Sequence, residues 1–164
     1  MKELLEKYDQ PVPRYTSYPT VPYWSDSPSS EEWISAVASG LAPTDASWSL
    51  YIHIPFCESL CTYCGCNTTI TKDHSRGAPY LESILREWAL YRERVPLFRK
   101  RTLRQIHLGG GTPTFLSASE LERLLRPIME SAGWDSRFSE GSIEVDPRRT
   151  HKDQLEMLFA LGFR

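Results

Sequence analysis

The sequence predicts an α/β fold: a parallel sheet curved into part of a (β/α) barrel, ending after about three strand–helix units. Three observations carry this. Short apolar runs alternate three times with stretches of helical periodicity, which implies parallel strands joined by right-handed crossovers. Each predicted strand is apolar on one face only. Trp48, Leu50, Ile52 and Ile54, then Ile106 and Leu108, then Ile143 and Val145 form one face; Tyr51 and His53, Gln105 and His107, and Ser142, Glu144 and Asp146 form the other. A sheet covered by helices on both sides is apolar on both, so a polar face fits helices outside and a wet, functional interior. All four cysteines also fall in the loop after the first strand, at the strand end where barrel folds gather ligands.

Residues 1–47 read as an N-terminal arm and helix, and residues 48–164 as the incomplete barrel. The arm is expected to be irregular over 1–30, because Pro11, Pro13, Pro19, Pro22 and Pro28 disfavour regular structure there. Ser29 and Glu32 form a capping box ahead of a helix with Trp33, Ile34, Val37, Ala38 and Leu41 on one face. Strand one spans about 48–54 and its helix about 79–95, with Leu81, Ile84, Leu85, Trp88, Tyr91 and Val95 in a 3.6-residue stripe. Strand two spans about 104–108. Its helix starts near Ser117, with Glu120 completing a second capping box; Pro127 should kink it and Gly133 should end it. Strand three spans about 141–146, and its helix runs from near Thr150 to Gly162.

The chain has 164 residues, 40% hydrophobic and 24% charged, with net charge -2. That is enough chain to bury a core. The charge balance points to no nucleic-acid partner. Apolar runs are too short for a membrane span, so the expected location is cytoplasmic. Four cysteines within ten residues suit metal binding in a reducing compartment better than a disulfide framework.

Cys57, Cys61 and Cys64 are spaced C-x3-C-x2-C. Three clustered thiolates suit a soft metal site, and three ligands on a four-iron cluster leave one iron open to a small molecule. The spacing also matches a helical stripe of buried thiols, but Pro55 and Gly65 bracket the segment and oppose a helix. Residues i and i+2 of an extended chain point to opposite sides, so Cys66 is expected to face away from Cys64. The run Gly109–Gly110–Gly111–Thr112–Pro113–Thr114 fits neither a dinucleotide fingerprint nor a P-loop. It is either a tight turn or a place where backbone approaches a ligand and offers N–H groups to an anion. Glu144, if it faces the lumen, can accept hydrogen bonds from ribose hydroxyls. His53 and His107 read as hydrogen-bonded lumen residues. The basic run Arg99–Lys100–Arg101 with Arg104 reads as a solvated helix end rather than a polyanion site.

The cysteine spacing resembles that of the radical S-adenosylmethionine superfamily. Together with PRYTSYPT at 13–20, YIHIPFC at 51–57, CGCN at 64–67, GGGTPT at 109–114 and IEVDPR at 143–148, it resembles the oxygen-independent coproporphyrinogen III oxidases across almost the whole chain. The resemblance implies a partial barrel of the radical S-adenosylmethionine type, with a 4Fe-4S cluster on Cys57, Cys61 and Cys64. It implies that Tyr51, Gly110 and Glu144 contact the cluster-bound S-adenosylmethionine, and that Tyr63, Gly111 and Thr112 lie near a second one. Tyr63 departs from the phenylalanine usual in that family. The implied reaction is oxidative decarboxylation of coproporphyrinogen III to protoporphyrinogen IX in haem biosynthesis, with an external electron donor and a monomeric full-length enzyme. Family members run well over twice this length, so this chain by itself is expected to be a partial or inactive portion. A haem-binding chaperone of the same branch and a structural metal-binding module are the alternative readings.

Overall fold

The structure, a computed structural model, describes residues 2–9 and 20–164. It divides into two compact units, Met1–Trp33 and Ile34–Arg164. The PRYTSYPT motif lies outside the described residues except for Thr20.

The arm is not irregular throughout. Residues Lys2–Tyr8 form a helix, α1, with Glu3 in its first turn and Lys7 in its last. These charges suit the helix dipole, and the first proline comes only at Pro11. No residue of α1 is buried, so local propensity alone accounts for it. The helix α2, Ser30–Gly40, opens with the expected box. Glu32 accepts the Ser29 N–H at 2.7 Å, and the Ser29 hydroxyl accepts the Glu32 N–H at 3.3 Å. The Ser29 N–H, and next the Ser29 hydroxyl, donate to the Glu32 carboxyl and hold it below its ordinary value.

In the second unit, β1 (Ser47–Ile54) leads to two short strands, β2 (Phe56–Cys57) and β3 (Thr69–Ile70), then to α3 (Gly77–Arg94), β4 (Thr102–Gly110), α4 (Ala118–Ala132), β5 (Glu140–Ile143) and α5 (Lys152–Ala160). Strands β1, β4 and β5 form one parallel sheet with β4 in the centre, in register Tyr51 opposite His107 and His107 opposite Ser142. The two-residue pair β2 and β3 is also parallel.

The apolar face of the sheet is the core face. Ile52, Ile54, Leu103, Ile106 and Leu108 are buried there, and α3 and α4 cover them with Leu81, Trp88, Leu121, Leu124, Leu125 and Ile128. Each such side chain contributes about 1.5–3 kcal/mol. An aromatic cluster fills the end near the start of β1. Trp48 stacks on Trp88 at 5.7 Å and meets Phe98 edge-on at 4.7 Å. The indole N–H of Trp88 donates to Ser131 Oγ and that of Trp48 to the Arg101 carbonyl. Arg101, expected to be a solvated helix end, donates instead to the carbonyls of Leu41 and Ala42, both at 2.8 Å. Those groups lack helical partners at the end of α2.

Helix α4 begins at Ser117 with a complete capping box to Glu120 and ends at Gly133, whose φ of 68° is left-handed. Pro127 does not interrupt it. Its side chain is exposed, on the side of the helix where water can replace a lost backbone bond. Replacing Ser117 with alanine should cost about 1 kcal/mol. A urea midpoint lowered at unchanged slope checks this; an unchanged midpoint would show the box to be dispensable.

Strand three is shorter than expected. It ends at Ile143, and one further bond, Glu144 N–H to the Leu108 carbonyl at 2.9 Å, prolongs the ladder. Asp146 then turns the chain, its carboxylate accepting the Arg148 N–H at 3.0 Å and its carbonyl the Arg149 N–H at 2.9 Å. Side-chain-capped turns of this kind compete with strand geometry. Val145, expected on the apolar face, is 43% exposed as a result. Helix α5 starts at Lys152, with His151 as its cap, close to the expected start near Thr150, and the chain turns after it at Gly162, φ 96°.

Candidate functional site

The cysteine loop leaves the end of β1. Pro55 interrupts the strand, and the Thr69 and Thr71 N–H groups then bond the carbonyls of Pro55 and Cys57 at 2.7 and 2.8 Å. These bonds pinch residues 58–68 into a closed loop. Cys57, Cys61 and Cys64 are half-buried and Cys66 is exposed. Cys57 Sγ lies 3.4 Å from the Thr112 hydroxyl, which joins the cysteine loop to the glycine loop. A turn bonds Cys64 N–H to the Cys61 carbonyl at 3.1 Å.

Cys66 does not face away from Cys64. Desolvation first, and next the Cys64 charge, push the Cys66 thiol up. The extended-chain argument fails because the segment turns at 62–63 and bends at Cys66. Tyr63 is 87% exposed and joins nothing in the site. Among the described residues, no three histidine, cysteine or acidic side chains are gathered closely enough to hold a metal ion. The donor chemistry nevertheless fits a soft metal, with three half-buried thiols on one short loop. Ligand loops commonly close only as metal binds.

The polar face of the sheet brings together Tyr51, His53, His107, Ser142 and Glu144. Tyr51 Oη lies 3.0 Å from His53 Nδ1, and His53 Nε2 lies 2.9 Å from the Asn67 carbonyl inside the cysteine loop. Tyr51 stacks on His107 at 5.7 Å, and His107 Nδ1 meets Ser142 Oγ at 2.8 Å. Both histidines are thus hydrogen-bonded on the polar face of the sheet. Desolvation, and next the Glu144 charge, push the Tyr51 phenol up. Glu144 accepts the Gly110 N–H at 3.2 Å, while its other oxygen stands 3.6 Å from His107 Nε2. That gap is too long for a hydrogen bond, so this oxygen keeps accepting capacity.

The glycines are needed because rings lie against them. A Cβ on Gly109 would stand 3.0 Å from the Tyr51 ring, and one on Gly110, at φ 114°, would meet the His53 ring at 2.7–2.9 Å. On Gly111 it would strike the Phe56 and Pro55 carbonyls at 2.7 and 2.8 Å. Their N–H groups are not left for an anion, as one reading of the run expected. Gly110 donates to Glu144, and Gly111 and Thr112 donate to the Ile54 and Phe56 carbonyls at 2.8 Å. Continuing the ladder past the strand end consumed them. The far end of this loop is pinned by buried Gln154, whose amide donates to the Thr114 and Leu116 carbonyls at 2.9 and 2.6 Å.

Sequence reasoning did not single out Glu58, His74 or Arg149, and it gave no separate role to Asp146 and Arg148. Arg148 grips Asp146 with two bonds, of 2.9 and 2.8 Å. The Arg148 hydrogen bonds hold the Asp146 carboxyl down at about 2. The stabilisation from this pair is therefore present above the ordinary aspartate value and lost only as pH falls through about 2.

A parallel α/β sheet with thiols, glycines and an acid at its strand ends is the layout of a radical S-adenosylmethionine enzyme. The solved coproporphyrinogen III oxidase of Escherichia coli, described as a radical SAM enzyme, matches it with TM-score 0.79 and 38% identity over 98% of this chain and 34% of its own. Curated proteins named oxygen-independent coproporphyrinogen III oxidase are similar too. That of Salmonella typhimurium is 41% identical over 160 residues, and that of E. coli K12 is 40% identical over the same length. The chain spans about a third of the length of these relatives, 34% in each. The Mannheimia haemolytica relative is 42% identical over 145 residues, 94% of its length. No family model matches. The chain belongs to the oxygen-independent coproporphyrinogen III oxidase family.

Proposed function

We propose that residues 48–164 form part of a radical S-adenosylmethionine barrel, preceded by the arm and helix of 1–47. We further propose that the chain serves the oxygen-independent conversion of coproporphyrinogen III to protoporphyrinogen IX in haem biosynthesis. Cys57, Cys61 and Cys64 would hold a 4Fe-4S cluster. Tyr51, Gly110 and Glu144 would bind the S-adenosylmethionine on it, and Tyr63, Gly111 and Thr112 would lie near a second one. The observation that carries this reading is the convergence of Glu144, the Gly110 backbone and Tyr51 on the polar face of one parallel sheet, whose glycine loop meets Cys57 through Thr112.

The cluster and S-adenosylmethionine supply the radical chemistry, with an electron from an external donor. The chain's own residues bind and orient. Glu144, fixed by Gly110 through one oxygen, offers the other to a ribose hydroxyl. Tyr51, stacked on His107, presents a ring on which an adenosine moiety can rest. The closely packed glycine loop keeps side chains out of the space beside Cys57. The proposed location is the cytoplasm; among the described residues no helix is long and apolar enough to cross a membrane.

The test is anaerobic reconstitution of the chain with iron and sulfide, reduction, and titration with S-adenosylmethionine under electron paramagnetic resonance. A four-iron signal that shifts on titration is expected. Zinc uptake without a cluster would favour a structural metal module, and a cluster blind to S-adenosylmethionine would remove the enzyme reading.

A further inference from the structure

Glu58 follows Cys57 at the entry of the cysteine loop, yet its side chain is only 19% exposed. One carboxylate oxygen lies 3.2 Å from His74 Nε2, and the other accepts from Arg149 Nη1. These partners come from different parts of the chain. His74 sits in the single turn before α3, and Arg149 lies between β5 and α5. Both are held independently of Glu58. His74 lies flat on Phe115, with centroids 4.1 Å apart and planes 7° apart, and its Nδ1 meets the Phe115 carbonyl at 3.0 Å. The Asp146 turn fixes the Arg149 backbone. A carboxylate next to a cysteine thiolate is electrostatically costly unless a cation draws its charge away, and here the Arg149 guanidinium faces it, with the His74 ring on its other oxygen.

We propose that Glu58 is a positioning residue, an ionic latch that ties the entry of the cysteine loop to the α3 turn and to the segment after β5. With the entry fixed, only residues 59–66 need to rearrange for the thiols to gather on one cluster. The purpose of the latch rests on the function proposed above; its existence does not, and the experiment separates the two.

Hydrogen–deuterium exchange on the iron-free chain compares the parent with Glu58→Gln, Arg149→Gln and the double variant. Each single change should speed amide exchange in 57–66 by about fivefold, the order of one partly buried ion pair, with β4 unchanged. The double variant should be no faster than either single, since both remove the same interaction. After reconstitution, iron release to a chelator should follow the same order. Unchanged exchange in 57–66, additive effects in the double variant, or acceleration spread equally over β4 would each overturn the latch. If the parent takes up no cluster, the exchange result still decides. If the parent's cluster responds to S-adenosylmethionine while the variants exchange like the parent, the latch falls and the function stands.

Discussion

Alanine at Cys57, Cys61 or Cys64 is expected to abolish cluster uptake, while Cys66→Ala should leave iron and sulfide near the parent's content. The thiolate is the ligand, and alanine offers no substitute. The three proposed ligands are half-buried and Cys66 is exposed. One of the three is already tied to a neighbouring strand exit, Cys57 through Thr112. Cys66 nevertheless interacts with Cys64 electrostatically, so the comparison separates two donor sets that differ by one thiol. Iron and sulfide analysis with visible absorption after anaerobic reconstitution reads the result. Loss of the cluster in Cys66→Ala, with retention in Cys64→Ala, would exchange the two assignments.

Gly110→Val is expected to remove the response to S-adenosylmethionine and to destabilise the fold. At φ 114° the new Cβ would stand 2.7–2.9 Å from the His53 ring. A branched residue at such a φ costs about 1–3 kcal/mol, and forcing the ring aside costs about 1–3 kcal/mol more. Displacing His53 would also break its contacts to Tyr51 and to the cysteine loop at Asn67. Glu144→Gln is the milder companion. Its amide oxygen can still accept from Gly110, so the fold should hold, while loss of the charge and of one accepting oxygen should weaken S-adenosylmethionine binding about tenfold, as for one charge-assisted hydrogen bond. Thermal melts separate the two effects. A Gly110→Val chain with the parent's melt and an undiminished spectroscopic response would mean that the glycine is only a turn.

Features written within a few residues were legible in the sequence. The Ser29–Glu32 and Ser117–Glu120 boxes, the left-handed Gly133 and the alternation along β1 and β4 all depend on neighbours. The polar face was legible because a strand alternates side chains with period two, and Tyr51, Gly110 and Glu144 met on it. The arm misled because its prolines begin only after α1. The cysteine loop misled because extended geometry does not survive its turn. The fate of the glycine N–H groups depended on β1 and Glu144, which no local pattern announces. Least visible was Glu58, whose partners stand 16 and 91 residues away; within its own heptapeptide it reads as one more charged loop residue.

The parallel pairing of β1 with β4 sets a clock on the birth of the chain. Neither strand can dock until the crossover between them exists, and Cys57 precedes its neighbour Thr112 by 55 residues. At a synthesis rate of about 5–20 residues per second, the thiols spend roughly 3–11 s outside the ribosome before the strand that will shelter them emerges. Throughout that interval they are the most oxidisable groups on an unfinished polypeptide. Iron delivered then would find thiols with no sheet behind them. A cluster held by these thiols, as proposed, would therefore form in its sheltered place only after the strand that carries Thr112 has emerged.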